Sequence, residues 1–399
     1  MSFAAVICAS HSTVATPSPA KGGGVELRAG LQFAGHSLVE YQARQAAEAG
    51  ASHILILVSA VTQALSRAVD RLTADRIPVA LVRDMVSLVR EAPRDRDMLL
   101  IADGAIIAQK YFTAVAAHPG NVLLCLDDTR ASAGFERIDG QHRWAGLLRV
   151  SPDLLFGTLD MLGDWDLELT LMRAAVQAGG YRVVVPQEDL LEGRVALVES
   201  QASADLVAQA LLGAQRDIPS TEGGAEHYVL SRLAAQIAPM LLRTQVPAIQ
   251  VRMGGMALAA MGVIAAVLGW PLFGILLMLC GLIASLTADR LGQLARHSQD
   301  DGWVALMPSL IVLLGVIVLG DEAGARMEGI YLAILLGIVL LAVRWRRASG
   351  QKWWLLFTPG SALILIFLAT LVSGVSGGLM LATLCALGSV GSLVLGKRA

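Results

Sequence analysis

The residues after about 250 constrain most strongly what this chain can fold into. Apolar runs at 253–270, 271–288, 303–320, 328–343, 353–375 and 376–396 follow one another with short polar breaks. Each approaches the roughly 20 residues that a helix needs to cross the hydrocarbon of a bilayer. Backbone in lipid must satisfy its own hydrogen bonds, so runs of this length predict helices. The spacing predicts six spans, the first two joined tightly through Gly269-Trp270-Pro271. Trp270, Trp303, Trp345, Trp353 and Trp354 fall at the expected boundaries, where amphipathic rings prefer to sit. Gly254-Gly255, Gly262, Gly374, Gly377-Gly378, Gly388 and Gly391 predict close helix packing and allow a homodimer through one such face.

Charge between the runs sets the expected orientation. Arg243 and Arg252 precede the first run, and Arg290 and Arg296 lie between the second and third. Arg344, Arg346, Arg347 and Lys352 lie between the fourth and fifth, and Lys397 and Arg398 follow the sixth. The alternate loops carry Arg326 beside Asp321, Glu322 and Glu328. Basic residues favour the cytoplasmic side, which predicts a multi-pass protein of the cytoplasmic (inner) membrane with both termini inside and membrane lipid as its surroundings. Residues 1–10 have no basic start and too short an apolar run for a signal peptide. Ahead of the first run, residues 226–244 place Tyr228, Leu230, Leu233, Ile237, Met240 and Leu241 at helical spacing, with Arg232 and Arg243 among them. This predicts an amphipathic helix at the membrane surface, with Pro239 inside it.

The first half reads differently. Strand-like runs at 4–8, 53–58, 79–82, 98–102 and 122–126 alternate with helical patterns at 37–49, 61–75, 165–178 and 197–212. Such alternation predicts an α/β domain with a mostly parallel sheet. The expected organisation is therefore an α/β cytoplasmic domain over 1–215, a linker and interfacial helix over 216–252, and an all-α six-helix membrane domain over 253–399. The net charge of −2 gives no case for a nucleic-acid partner. Cys8, Cys125, Cys280 and Cys385 are scattered without a C-x-x-C and read as apolar thiols. The histidines, among them His11 and His36, lack ligand spacing and read as structural or surface residues.

Phe33-Ala34-Gly35-His36-Ser37-Leu38-Val39-Glu40-Tyr41-Gln42 resembles the v-a-G-x-P-L-I-E-Y-Q segment of GT-A-like nucleotidyltransferases, which join a sugar or polyol phosphate to a nucleoside triphosphate. Leu100-Ile101-Ala102-Asp103-Gly104 resembles the strand that ends in their metal-binding Asp. The resemblance implies Asp103 and Glu199 as metal carboxylates and Arg28 in the place of the phosphate-binding Lys, with Asp103 also at the nucleotide. The family's Gly-rich loop after the first strand is poorly matched, since residues 9–24 are rich in Ser, Thr and Pro and only Lys21-Gly22-Gly23-Gly24 fits.

In the second half Gly292, Ala295 and Arg296, with Asp289 nearby, resemble the centre of the CDP-alcohol phosphotransferase signature, D-x-x-D-G-x-x-A-R followed by G-x-x-x-D-x-x-x-D. That family's four carboxylates hold Mg²⁺ or Mn²⁺ on a CDP diphosphate. Here Ala288, Leu291, Ser309 and Leu313 stand at those positions, and Asp289 is one residue out of register. A hard cation needs oxygen ligands, and Ala and Leu supply none. The order of the halves is similar to bifunctional enzymes that make CDP-inositol and transfer phosphoinositol in phospholipid head-group synthesis. The resemblance implies nucleotide or CDP-alcohol as ligands. The eroded motifs imply a non-catalytic or catalytically altered relative, and the alternative is an active transferase using Asp289, Asp300 or Asp301.

Overall fold

The computed structural model describes residues 3–13, 27–160, 166–214, 225–244, 246–294, 302–322, 326–347 and 357–395. The chain divides into two compact units, with the break near Ala214.

The first unit is built on a seven-stranded sheet. Its strands in chain order are β1 (Phe3–Ala9), β2 (Ala51–Val58), β3 (Val79–Val82), β4 (Met98–Ile101), β5 (Val122–Asp127), β6 (His142–Val150) and β7 (Tyr181–Val185). In space they run β7-β5-β6-β4-β1-β2-β3. β6 is antiparallel to both its neighbours, and every other pairing is parallel. β1 is buried along its whole length between β2 and β4, which is why it reads as an unbroken apolar run. The sheet is thus mostly parallel, as the alternation predicts, with β6 and β7 added to the five expected strands. The expected helix over 197–212 is shifted: Val195–Leu197 is a strand paired with Ala105–Ile107, and the helix runs Gln201–Ala214.

Local sequence explains the helices that flank the sheet. Helix α1 (Leu38–Glu48) opens with a capping box in which Ser37 and Glu40 each bond the other's backbone N–H. Helix α2 (Gln63–Ala74) is capped by the Thr62 side chain. Helix α3 (Leu167–Gln177) is capped by Asp166, which accepts from the Glu168 N–H at 2.8 Å. The cap aims the α3 N-terminus at whatever surrounds Asp166 and Glu168.

The second unit is helical: α4 (Ala225–Thr244), α5 (Ala248–Val267), α6 (Pro271–Leu294), α7 (Gly302–Glu322), α8 (Arg326–Arg347) and α9 (Pro359–Leu395). Among the described residues three helices are long and apolar enough to cross a membrane: Ala248–Val267, Pro271–Leu294 and Pro359–Val390. Apolar stretches within α4, α7 and α8 are shorter. α5 and α6 form the predicted hairpin, packed backbone to backbone. A Cβ on Gly262 would lie 2.6 Å from the Gly274 carbonyl oxygen, and one on Gly281 would lie 2.6 Å from that of Gly255. Glycine is the one residue that permits this approach.

α9 is not one straight rod. Gly374 has φ 76° and ψ 178°, outside the helical range and open to glycine alone at little cost. Beyond it the chain doubles back: the Phe357 N–H donates to Ser389 Oγ at 3.1 Å, and a Cβ on Gly378 would meet the Ile366 carbonyl. The reversal falls beside the predicted boundary between the fifth and sixth apolar runs.

In α4 the buried side is Leu230, Ala234 and Ala238. The predicted face divides accordingly: Leu230 packs into the helical core, while Leu233, Ile237 and Met240, with Val229, form an exposed apolar stripe.

Candidate functional site

In an open α/β sheet, side chains that meet ligands gather beyond the carboxyl ends of parallel strands. β1 and β4 are parallel neighbours with Ile7 opposite Ile101. The residues that follow each strand therefore emerge side by side, although 92 positions separate His11 from Asp103.

Asp103 is buried, and its Oδ2 accepts the His11 backbone N–H at 2.7 Å. The His11 imidazole lies between two carboxylates, with Nδ1 3.4 Å from Asp103 Oδ2 and Nε2 3.7 Å from Asp166 Oδ2. Glu168, one residue into α3, is also buried, and its Oε1 accepts the Asp103 N–H at 3.0 Å. Asp103 Oδ1 is shut away from solvent and has no hydrogen-bond partner among the described residues.

The electrostatics follow from this crowding. Burial pushes the Glu168 carboxyl up to about 7; the Asp103 N–H opposes the rise, and the charges of Asp103 and Asp166 add to it. The facing Asp103 carboxylate raises His11, favouring the imidazolium against the cost of its partial burial. Cys8, at the end of β1, is held well above the usual thiol range, first by burial and then by Glu168 and Asp103. A thiol so placed stays protonated and is a poor nucleophile.

Arg28 and Glu199 meet beside this edge. Arg28 Nη2 lies 3.1 Å from Glu199 Oε1. Val198 N–H donates to the Gly104 carbonyl at 2.8 Å. Gly104 has φ +81°, and a Cβ there would lie 2.4 Å from the Val198 carbonyl oxygen and 3.7 Å from Arg28 Cδ. Residues 28, 103–104 and 198–199 are thus brought into one corner. The guanidinium that resemblance assigns to a phosphate faces a carboxylate that resemblance assigns to a metal. Residues 14–26, which include Lys21 to Gly24, lie outside the described residues.

Three residues of the edge, His11, Asp166 and Glu168, are not among the sequence-predicted site residues. His11 has no partner at a recognisable spacing. The Asp-x-Glu of residues 166–168 reads as an ordinary helix start, which it also is. Two carboxylates opening a helix that follows strand-rich sequence were the signal available.

One oxygen of each carboxylate is spent on a protein N–H: Asp103 on His11, Glu168 on Asp103, and Asp166 on Glu168. Among the described residues no group of three or more His, Cys, Asp or Glu side chains is placed to hold a metal ion.

In the helical unit Asp289 lies near the C-terminal end of α6 and forms an ion pair with Arg252 of α5, whose side chain is buried. Arg290 Nη2 donates to Ser231 Oγ at 2.8 Å. Gly292 lies in the last turn of α6, and Ala295 and Arg296 lie outside the described residues. Ala288 and Leu291, which stand at two carboxylate positions of the resembled signature, are both buried. Leu313, at another, packs where a Cβ on Gly337 would meet its Cδ1 at 2.6 Å.

No protein-family model matches the chain, and no curated protein matches it. Among solved structures, a nucleotidyl transferase from Methanothermobacter thermautotroptrophicus is similar over 53% of this chain and 98% of its own, at 17% identity and a TM-score of 0.38. A likeness that loose decides nothing about chemistry.

Proposed function

We propose that this is a non-catalytic membrane protein of nucleotidyltransferase and CDP-alcohol phosphotransferase ancestry, held in the cytoplasmic membrane and acting by binding, at a lipid or beside an active relative. The observation that carries the reading is the α6 face at Ala288 and Leu291. Both positions are closed and apolar, and the nearest carboxylate, Asp289, is engaged by Arg252. A diphosphate brought there would find neither oxygen ligands for its metal nor room for them.

The reading includes six crossings, with both termini and the α/β domain in the cytoplasm. The reversal at Gly374 supports it by dividing the 37-residue α9 into two antiparallel halves. So does the basic bias of Arg290, Arg344, Arg346 and Arg347.

The test is turnover. Detergent-purified full-length protein is mixed with CDP-alcohols and with CTP, with and without Mg²⁺ or Mn²⁺, and product release is followed beside calorimetric titration. The expected result is no metal-dependent turnover. Turnover that Asp289→Ala abolishes would replace this reading with an active transferase in head-group synthesis.

A further inference from the structure

Helix α4 divides lengthwise into three surfaces. Leu230, Ala234 and Ala238 are buried, and Leu230 belongs to the helical core. Val229, Leu233, Ile237 and Met240 recur at helical spacing, so they share one face, and all four are exposed, Met240 to 71%. Arg232 and Gln236 are exposed along one flank of that stripe, and Arg243 falls at the same helical position about three turns on. Charge along this part of the chain has one sign. Between Glu226 and Asp289 stand Arg232, Arg243 and Arg252 and no carboxylate, and Asp289 itself is engaged by Arg252.

Two features fix the level of α4 in the helical unit. Ser231 Oγ accepts from Arg290 Nη2 at 2.8 Å, in the last turns of α6. α4 also ends at Thr244, just before α5 begins at Ala248. The helix therefore lies where two apolar spans end, and in a bilayer that is the depth at which acyl chains give way to phosphates. We infer that α4 is a lipid-binding element of this protein, in which the stripe takes acyl chains and the arginine flank takes the phosphates of anionic lipids. A leaflet supplies both halves of this complement, an apolar layer and, directly above it, a sheet of negative charge. An apolar stripe facing water supplies neither. The inference rests on the membrane placement proposed above and is independent of whether CDP-alcohols are turned over.

The test uses the full chain in nanodiscs of mixed phosphatidylcholine and phosphatidylglycerol. Cys280→Ala and Cys385→Ala remove the exposed thiols. A fluorophore is then attached at Ile237→Cys on the stripe or, as a control, at Ile264→Cys on the exposed side of α5. Lipids brominated in their chains and aqueous iodide are compared as quenchers. Quenching by lipid and not by iodide is expected at both positions. At position 237, brominated phosphatidylglycerol should quench more than brominated phosphatidylcholine. Arg232→Gln should lower that ratio about fivefold, the worth of one arginine near an anionic surface, and Arg232→Lys should keep it. Iodide quenching at 237 would overturn the inference, as would protection from both quenchers, which is the outcome if a second copy or another protein surface covers the stripe. A lipid ratio that Arg232→Gln leaves unchanged would overturn it too. A control label at 264 that lipid fails to quench would overturn the membrane placement and the inference with it, so the two failures are distinguishable.

Discussion

The carboxyl edge of the α/β sheet and the α6 face of the helical unit depart from the resembled enzymes in opposite ways. At the sheet edge the acidic groups are present, and three backbone N–H groups and the His11 imidazole lie against them, with Arg28 nearby on Glu199. On α6 the positions that the resembled signature gives to carboxylates hold Ala288 and Leu291, which are buried and apolar. The first arrangement keeps charged groups at the ends of parallel strands, whereas the second is apolar packing within the helical unit.

Placing carboxylates at the two α6 positions should have the largest effect. Ala288→Asp combined with Leu291→Asp places two carboxylates where burial is complete or nearly so. A loss of about 3–5 kcal/mol is expected, read as a fall in thermal stability of the detergent-solubilised chain, with no recovery on adding Mn²⁺. Recovery by Mn²⁺ would break the contrast, since α6 would then have kept the frame of a metal site.

A carboxylate that is buried and fully satisfied gives the reference for the sheet edge. Glu40 accepts from Ser37 at 2.9 and 2.7 Å and from Arg71 at 2.8 and 2.7 Å, with Arg44 at 3.8 Å. Burial opposes its ionisation, but Arg71, His36 and Ser37 overcome this and hold its carboxyl well below the usual range. Its stabilisation is therefore full above the ordinary carboxylate range and is lost as pH falls from that range toward the lowered folded value. Glu40→Gln should cost about 3 kcal/mol at pH 7, measured by denaturant unfolding, and little in strong acid.

Glu168 should behave with the opposite sign. Its folded value near 7 lies above the ordinary 4.5, so the folded state binds the extra proton between those limits. Stability then falls as pH rises through that window. Glu168→Gln keeps an acceptor for the Asp103 N–H and should stabilise the protein by up to about 3 kcal/mol at pH 8, with little change at pH 4. Equal effects at both pH values would show that the sheet edge is as well satisfied as Glu40.

The smallest effect is expected at the α5–α6 ion pair. Asp289→Asn removes a carboxylate whose side chain is 42% exposed and leaves Arg252 with a neutral acceptor. A cost of about 1 kcal/mol in thermal stability is expected. A loss as large as that for Glu40 would mark Asp289 as a structural centre of the helical unit.

The features legible in the sequence are those that a short window contains. The run of residues 53–58, the helical pattern over 37–49 and the Gly269-Trp270-Pro271 hairpin all state their structure locally. β6 escaped because Arg143, Gly146 and Arg149 interrupt its apolar pattern. The structure makes sense of them only through distant partners: Arg149 bonds Asp97 at 2.9 Å and Arg143 bonds Asp128 at 2.6 Å. Asp128, directly after β5, is likewise held by distant residues, between Arg137 and Arg143. The amphipathic α4 was readable as a helix. Which of its apolar residues face inward depended on the neighbours that claimed Leu230 and Ala234.

Sequence by itself determined that an α/β unit precedes a long apolar helical region, because strand and helix periodicity and sustained apolarity are carried by residues near one another in the chain. It also determined that Ala288, Leu291, Ser309 and Leu313 are not carboxylates. Only the tertiary structure decided that His11 lies between Asp103 and Asp166, that Glu168 lies behind them, and that Arg28 meets Glu199 across 171 residues. Strand order and register bring those groups together, and neither is encoded by the spacing of the residues concerned.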